Sequence, residues 1–283
     1  MRAGRLGPGR TRHRDRRHPG VRPAHRDLPR ASARGVRRRC RGRCPGAPEL
    51  PSSLNPLDFT SEWDFSLARF DLDDDLVALG ADLAPGTIVA AYAHGVFPMG
   101  LGEGGAPPMG WWSPQERGVL DRDAFHASRS LRRSARAFEV SFDRDFEGVV
   151  AGCADPSREG AWITSEITAA YTRLHDLGVA HSVEVWQDGA LVGGLYGLAI
   201  GGLFAGESMF HRATDASKVA LGALAHAVYE RDDVPRLIDV QWRTPHLGSL
   251  GVTEIARDAY RARLPQLVHA PPIAAFGGSG RGR

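Results

Sequence analysis

The stretch "HSVEVWQDGALVGGLYGLAIGGLFAGESMF", His181 to Phe210, decides how this chain folds. It reads as two or three strands. Asp188-Gly189 is the dipeptide that two-residue hairpin turns favour. The second half is apolar and punctuated by glycine, as buried sheet is. One ionisable side chain, Glu207, sits in its last ten residues. A carboxylate there without a partner is expensive. Either it reaches solvent at a strand end, or it binds a cationic group of a ligand. The flanking glycines Gly201, Gly202 and Gly206 let a ligand approach the backbone closely.

Working outward, "WITSEITAAYTRLHDLG" predicts a helix. Thr164 or Ser165 can cap it, Ile167, Ala170, Tyr171 and Leu174 line one face, and Gly178 ends it. Downstream, "DASKVALGALAHAVYER" predicts a second helix capped by Asp215, and "RLIDVQW" a buried strand. "GSLGVTEIARDAYRARL" closes the fold. Upstream, "DDDLVALGADLAPGTIVAAYAHGVFPMG" predicts an extended or turn segment and then a helix, with Pro85 near its start and Gly95 just past its end. Helix, hairpin sheet, helix and strand in that order make an α+β arrangement with a mostly antiparallel sheet and flanking helices.

Charge divides the chain. Residues 1–50 hold sixteen Arg and no Lys against Asp15, Asp27 and Glu49, so the other 233 residues carry about −10 of the overall +3. Residues 1–54 lack a hydrophobic period and read as a disordered Arg-rich extension; a nucleic-acid-binding arm is the sharper alternative. Cys40 and Cys44 have no second Cys/His pair to complete a metal site. Three cysteines give no disulfide framework, which points to a reducing cytoplasm. No apolar run approaches the ~18 residues of a membrane span, and no signal-peptide segment is evident. The expected division is an extension over 1–54, a small N-terminal domain over 55–118, a larger domain over 119–268 and a flexible tail over 269–283.

Beside Glu207, three features can carry chemistry. Asp239 and Gln241 stand at i and i+2 of the strand "LIDVQ", which puts them on one face. They are either a polar pair at an exposed strand end or a positioned proton acceptor with an orienting partner. The aromatics Trp111, Trp112, Trp162 and Phe204 fit a core, but two adjacent Trp in a Pro/Gly loop are hard to bury together, and one can face a pocket or a stacked base. Arg129, Arg132, Arg133 and Arg136 share one face if "HASRSLRRSARA" is helical. In an otherwise acidic body, that face suits phosphates. The chain has no GxGxxG, P-loop, HExxH or GxSxG pattern, and Cys153 has no evident His partner.

Together these segments resemble the bacterial leucyl/phenylalanyl-tRNA–protein transferase family. The resemblance runs in order through "DLVALGADLAPGTIVAAYAHGVFPMG", "WWSPQERGVL", "GCADPSREGAWIT", the hairpin stretch, "ASKVAL", "LIDVQ" and "HLGSLG", roughly residues 72–264. It implies a cytoplasmic enzyme that moves Leu or Phe, and Met less well, from the acceptor end of aminoacyl-tRNA to proteins with N-terminal Arg or Lys. That transfer marks them for the N-degron pathway. It also implies a small N-terminal domain, a larger GNAT-like acyltransferase domain, and neither metal nor coenzyme A. By position, Glu207 holds the α-amino group and Asp239 and Gln241 are catalytic. Trp162, Leu195, Phe204, Leu221, Leu224, Val228 and Ile238 form the aminoacyl side-chain pocket. Met99, Trp111 and Trp112 lie near the 3′-adenosine, and the segment of Arg129, Arg132, Arg133 and Arg136 suits acceptor-stem phosphates. Where the family carries Trp after "FP", this chain has Met99, which removes a flat stacking surface. The rival readings are a coenzyme A-dependent N-acetyltransferase and a non-enzymatic RNA-binding protein.

Overall fold

At Asp188 and Gly189 the backbone turns through two consecutive positive φ angles, 51° and 77°. That geometry matches the twist of the strands it joins, β6 (Ala180–Gln187) and β7 (Ala190–Ile200). A second turn leads into β8 (Leu203–His211), so the stretch forms three antiparallel strands. The computed structural model describes residues 55–276 except 69, 71, 72 and 159. The Arg-rich segment 1–54, with Cys40 and Cys44, lies outside them.

Before the hairpin come β1 (Leu76–Leu79), α1 (Pro85–Ala93), β2 (Phe97–Gly100), β3 (Met109–Trp112), β4 (Glu116–Leu120), α2 (Arg129–Ser134), β5 (Glu139–Phe142), α3 (Phe146–Cys153) and α4 (Ser165–Asp176). After it come α5 (Ala216–Val228), β9 (Leu237–Gln241), α6 (Pro245–Ser249), β10 (Thr253–Ala256) and α7 (Arg257–Val268). Strands β1, β3 and β2 form a small antiparallel sheet. The others form a seven-stranded sheet in the order β10-β4-β9-β8-β7-β6-β5. Every pair in it is antiparallel except β8 with β9, which α5 connects as a parallel pair requires. This is the expected α+β fold with a mostly antiparallel sheet.

The large sheet is buried on both faces. Along β7, Leu195 points toward the cluster built with α5, whereas Tyr196, Leu198 and Ile200 point toward α1, α3 and α4. Helix α4 starts and stops where the sequence says: the Thr164 hydroxyl accepts from the Ile167 amide, and Gly178 takes φ 72°. Helix α3 was not anticipated. Its cap, the Asp145 carboxylate accepting from the Gly148 amide at 3.0 Å, is plain only once the end of β5 is known. No described helix is long and apolar enough to cross a membrane.

Three expectations change. Asp215 stands at the N-cap position of α5, but at φ 70° its carboxylate bonds Lys218 Nζ (2.7 Å) and Ser134 Oγ (3.0 Å) instead of the first helical amides. The domain division at 118 falls inside β4, which belongs to the large sheet. The tail expected to be loose from 269 is packed through Phe276: Ile273 is buried, Phe276 stacks on Phe204, and Arg236 donates to the carbonyls of Pro271 and Pro272.

Candidate active site

Parallel pairing of β8 with β9 ends at Ala205 and Asp239. Just beyond that point both strands carry a bulge. On β8, Gly206 pairs with Gly197 and Ser208 with Tyr196, which leaves Glu207 as the extra residue. On β9, Asp239 pairs with Val119 and Gln241 with Gly118, which leaves Val240 extra. Bulges bend a strand and re-aim its side chains. Here they open a cleft of about 440 Å³, counting its mouth. Its wall is apolar, from Leu195, Leu221, Leu224, Ile238, Met209 and Leu247, and its polar groups include Glu207 and Gln241.

Glu207 is half-buried and held by two tyrosines from the helices across the sheet. Tyr92 on α1 donates to Oε1 at 2.5 Å, Tyr171 on α4 donates to Oε2 at 3.0 Å, and the two hydroxyls are 2.9 Å apart. Burial raises the Glu207 pKa to about 7, and the Asp239 charge adds to the rise; the tyrosine hydrogen bonds and the Arg117 charge oppose it. Burial, then the Glu207 charge, raises both tyrosines well above their ordinary value, so they stay protonated donors. The carboxylate therefore sits at a poised value in the wall of an apolar cleft. A ligand cation there would restore its charge.

Asp239 is fully buried and not at an exposed strand end. Its Oδ1 accepts from Arg117 Nε (2.8 Å) and the Gln241 amide (2.9 Å); its Oδ2 accepts from Arg117 Nη2 (2.5 Å) and Tyr260 Oη (2.8 Å). Arg117, from β4, is buried as deeply. It also donates to the Gly95 carbonyl and lies over the rings of Phe97 and Tyr260. Burial works against its charge, and Asp239 more than compensates. With all its acceptor positions filled by fixed donors, Asp239 is not a free proton acceptor in this arrangement.

Gln241 is also buried, and its geometry departs from a regular strand. Its φ is 59°, a left-handed conformation that costs a residue with a side chain about 1–3 kcal/mol. Opposite it, a Cβ on Gly118 would meet the Arg243 amide nitrogen at 2.8 Å and the Trp242 carbonyl carbon at 2.9 Å, so only glycine lets the bulge close this tightly. The side-chain Nε2 of Gln241 is buried without a hydrogen-bond partner.

The other sequence candidates divide. Leu195, Leu221, Leu224 and Ile238 line the cleft. Phe204 and Val228 do not; they lie behind it in the buried cluster of α5. Trp162 packs against the cluster of Tyr92 and Tyr171, on the other face of the sheet. Trp111 is fully buried beside Phe65 and donates to the Gly80 carbonyl, so it faces no pocket. Trp112 is half-buried, donates to the Met99 carbonyl at 2.8 Å and meets Trp242 edge-on, with Met99 half-exposed beside it. Helix α2 ends at Ser134, so Arg136 falls on the tighter turn that follows rather than on one continuous α-helical face. Arg129, Arg132, Arg133 and Arg136 are all exposed. Cys153 is buried and its thiol is pushed up to about 12, chiefly by burial, which removes it as a nucleophile.

Sequence reasoning missed Arg117, Tyr92, Tyr171 and Tyr260. The signal for the tyrosines was present: a Tyr on the apolar face of a helix still needs a partner for its hydroxyl.

Residues 119–265 match the family described as leucyl/phenylalanyl-tRNA protein transferase, and residues 81–115 match its N-terminal domain. The chain belongs to the leucyl/phenylalanyl-tRNA protein transferase family. It is thus an aminoacyltransferase. The leucyl/phenylalanyl-tRNA–protein transferase of Dechloromonas aromatica (strain RCB) is 49% identical over 220 residues, 76% of this chain and 90% of the relative. That of Stutzerimonas stutzeri (strain A1501) is 50% identical over 203 residues, 70% and 88% of the two chains. Among solved structures, a ribosomal-protein-alanine N-acetyltransferase from Brucella melitensis biovar Abortus 2308 aligns with a TM-score of 0.30 at 22% identity, over 40% of this chain and 85% of the other. The residues lining the cleft, from Leu195 to Leu247, fall wholly within the first of the two matched segments.

Proposed function

We propose that the protein transfers Leu or Phe, and Met less well, from aminoacyl-tRNA to the N-terminal Arg or Lys of acceptor proteins, creating an N-degron in the cytoplasm. The supporting observation is the pairing of a poised carboxylate, Glu207, with an apolar wall of Leu195, Leu221, Leu224 and Ile238 in one cleft. An amino acid esterified to tRNA offers the matching parts: an α-ammonium and an apolar side chain on adjacent bonds. Met99 and Trp112 would flank the terminal adenosine. On this reading the residues before β4 serve as the small domain and those from β4 through 268 as a GNAT-like transfer domain, with no metal or coenzyme A involved.

The ester is already activated, and about a tenth of the acceptor's α-amine is neutral at pH 7. The main task is to hold two substrates in register, which is worth several kcal/mol. The test is to incubate the protein with radiolabelled Leu-tRNA and an Arg-initiated peptide, with and without residues 1–54. Labelled peptide is expected from both forms. Robust transfer from Lys-tRNA or Glu-tRNA would overturn the reading, because an apolar wall cannot repay the desolvation of a charge.

The exposed arginines of α2 are proposed to bind acceptor-stem phosphates. Replacing Arg132 and Arg133 together with Ala should weaken tRNA binding about tenfold at low salt and lower the salt slope by about 2. Binding measured across a salt series checks this, and unchanged affinity at low salt removes the assignment.

A further inference from the structure

Arg117 does not line the cleft, and yet it forms the most deeply buried ion pair among the described residues. Its partner Asp239 accepts four hydrogen bonds, so it can meet an incoming amine only by giving up a bond to a buried donor. Gln241 is the reverse case. Its main-chain N–H donates to Asp239 at 2.9 Å, while its carboxamide Nε2 is buried and unpartnered and the residue lines the cleft. A donor kept dry and unpaired is suited to an acceptor that arrives with the substrate.

We propose that Arg117 and Asp239 are positioning residues, a fixed ion pair that clamps the Gln241 backbone in its left-handed bulge so that the carboxamide N–H stabilises the oxyanion of the transferring ester. The inference rests on the transfer reaction proposed above. In it the neutral acceptor amine attacks the aminoacyl carbonyl carbon. The C–N bond forms, and the carbonyl electron pair moves to oxygen, where the Gln241 N–H meets it. Collapse re-forms the carbonyl and breaks the bond to the ribose oxygen, which leaves with the proton given up by nitrogen. Neither Asp239 nor Gln241 takes a proton.

Gln241→Glu separates this from a proton-relay role by the direction of its pH profile. If the amide donates, single-turnover transfer falls about 10²–10³-fold near neutral pH. It recovers relative to the unaltered enzyme as pH falls and the introduced carboxyl is protonated. If the residue accepts a proton, recovery comes as pH rises. Glu207 on β8 lines the same cleft, and Asp239 and Arg117 lie behind the bulge, so the profile is read as the ratio to the unaltered enzyme. Gln241→Gly, which suits the left-handed backbone, should be equally slow while binding a non-reactive 3′-amide analogue of Leu-tRNA within about threefold of normal. Arg117→Lys keeps the charge but loses the two-pronged contact with Asp239. It should reproduce the rate loss with analogue affinity retained. Recovery toward high pH, or a Gln241→Glu rate within threefold of normal, overturns the oxyanion role. An unchanged rate in Arg117→Lys overturns the clamp. Absence of any transfer by the unaltered enzyme instead overturns the proposed function.

Discussion

Replacing Asp239 with Ala should lower stability by about 3–5 kcal/mol, a large part of what a domain of this size has to lose. The substitution strands the Arg117 guanidinium, which is 1% exposed, and removes the acceptor of Tyr260 and of the Gln241 amide. A buried charge without its partner is the costly state, whereas removing both charges together is far milder. The pair substitution Arg117→Met with Asp239→Leu should therefore recover most of the loss, less the cost of re-pairing the Tyr260 hydroxyl and the Gln241 amide. Urea unfolding of the single and paired variants checks the order. Transfer should stay slowed about 10²–10³-fold in both, since neither holds Gln241. A paired variant no more stable than Asp239→Ala would mean that the ion pair is not what the single substitution destroys.

The features that position the site were the least legible in the sequence. The hairpin at Asp188-Gly189 and the ends of α4 were readable because they depend on residues within a few positions of one another. The apolar wall was readable in part. Leu221 and Leu224 lie three apart on α5, but Val228 continues that face past the cleft into the core. The two bulges left no local mark. Asp239 and Gln241 share a face only if the strand is regular, and Val240 interrupts that pleat: they pair with Val119 and Gly118, neighbours on β4, so Gln241 lines the cleft while Asp239 points to Arg117 and Tyr260. Arg117 sits in "SPQERGVL", where an arginine next to a glutamate suggests a solvated strand end. Its burial follows only from pairing β4 with β9, more than a hundred residues away. Trp111 was misjudged because β1 and β2 flank β3 on both sides, which gives its ring a core of its own with Phe65.

Glu207→Gln should stabilise the protein at neutral and higher pH while weakening its hold on the donor substrate. The sign follows from the raised pKa. An unfolded glutamate ionises near 4.5, whereas Glu207 in the fold holds its proton to about 7. Between those values the folded state binds more protons, so stability falls as pH rises through the window and stays reduced above it. The full effect is on the order of 3 kcal/mol at most, because a tenfold change in proton affinity is worth ~1.4 kcal/mol. A neutral amide avoids that loss. Tyr92 and Tyr171 can still bond its carbonyl oxygen, and one hydroxyl must turn to accept from its NH₂. The difference in melting temperature between the two proteins should be small near pH 5 and should widen toward pH 8 in favour of the variant. Donor binding runs the other way. The α-ammonium of the aminoacyl group needs the ionised carboxylate, so affinity for the 3′-amide analogue should drop about 10–100-fold at pH 7.5 on replacement, the size of a charge-assisted hydrogen bond. In the unaltered protein that affinity should decline as pH falls through about 7. In the variant this acid limb should vanish. Equal analogue affinity in the two proteins at pH 7.5 would return Glu207 to a structural carboxylate, held by two tyrosines and waiting for no cation.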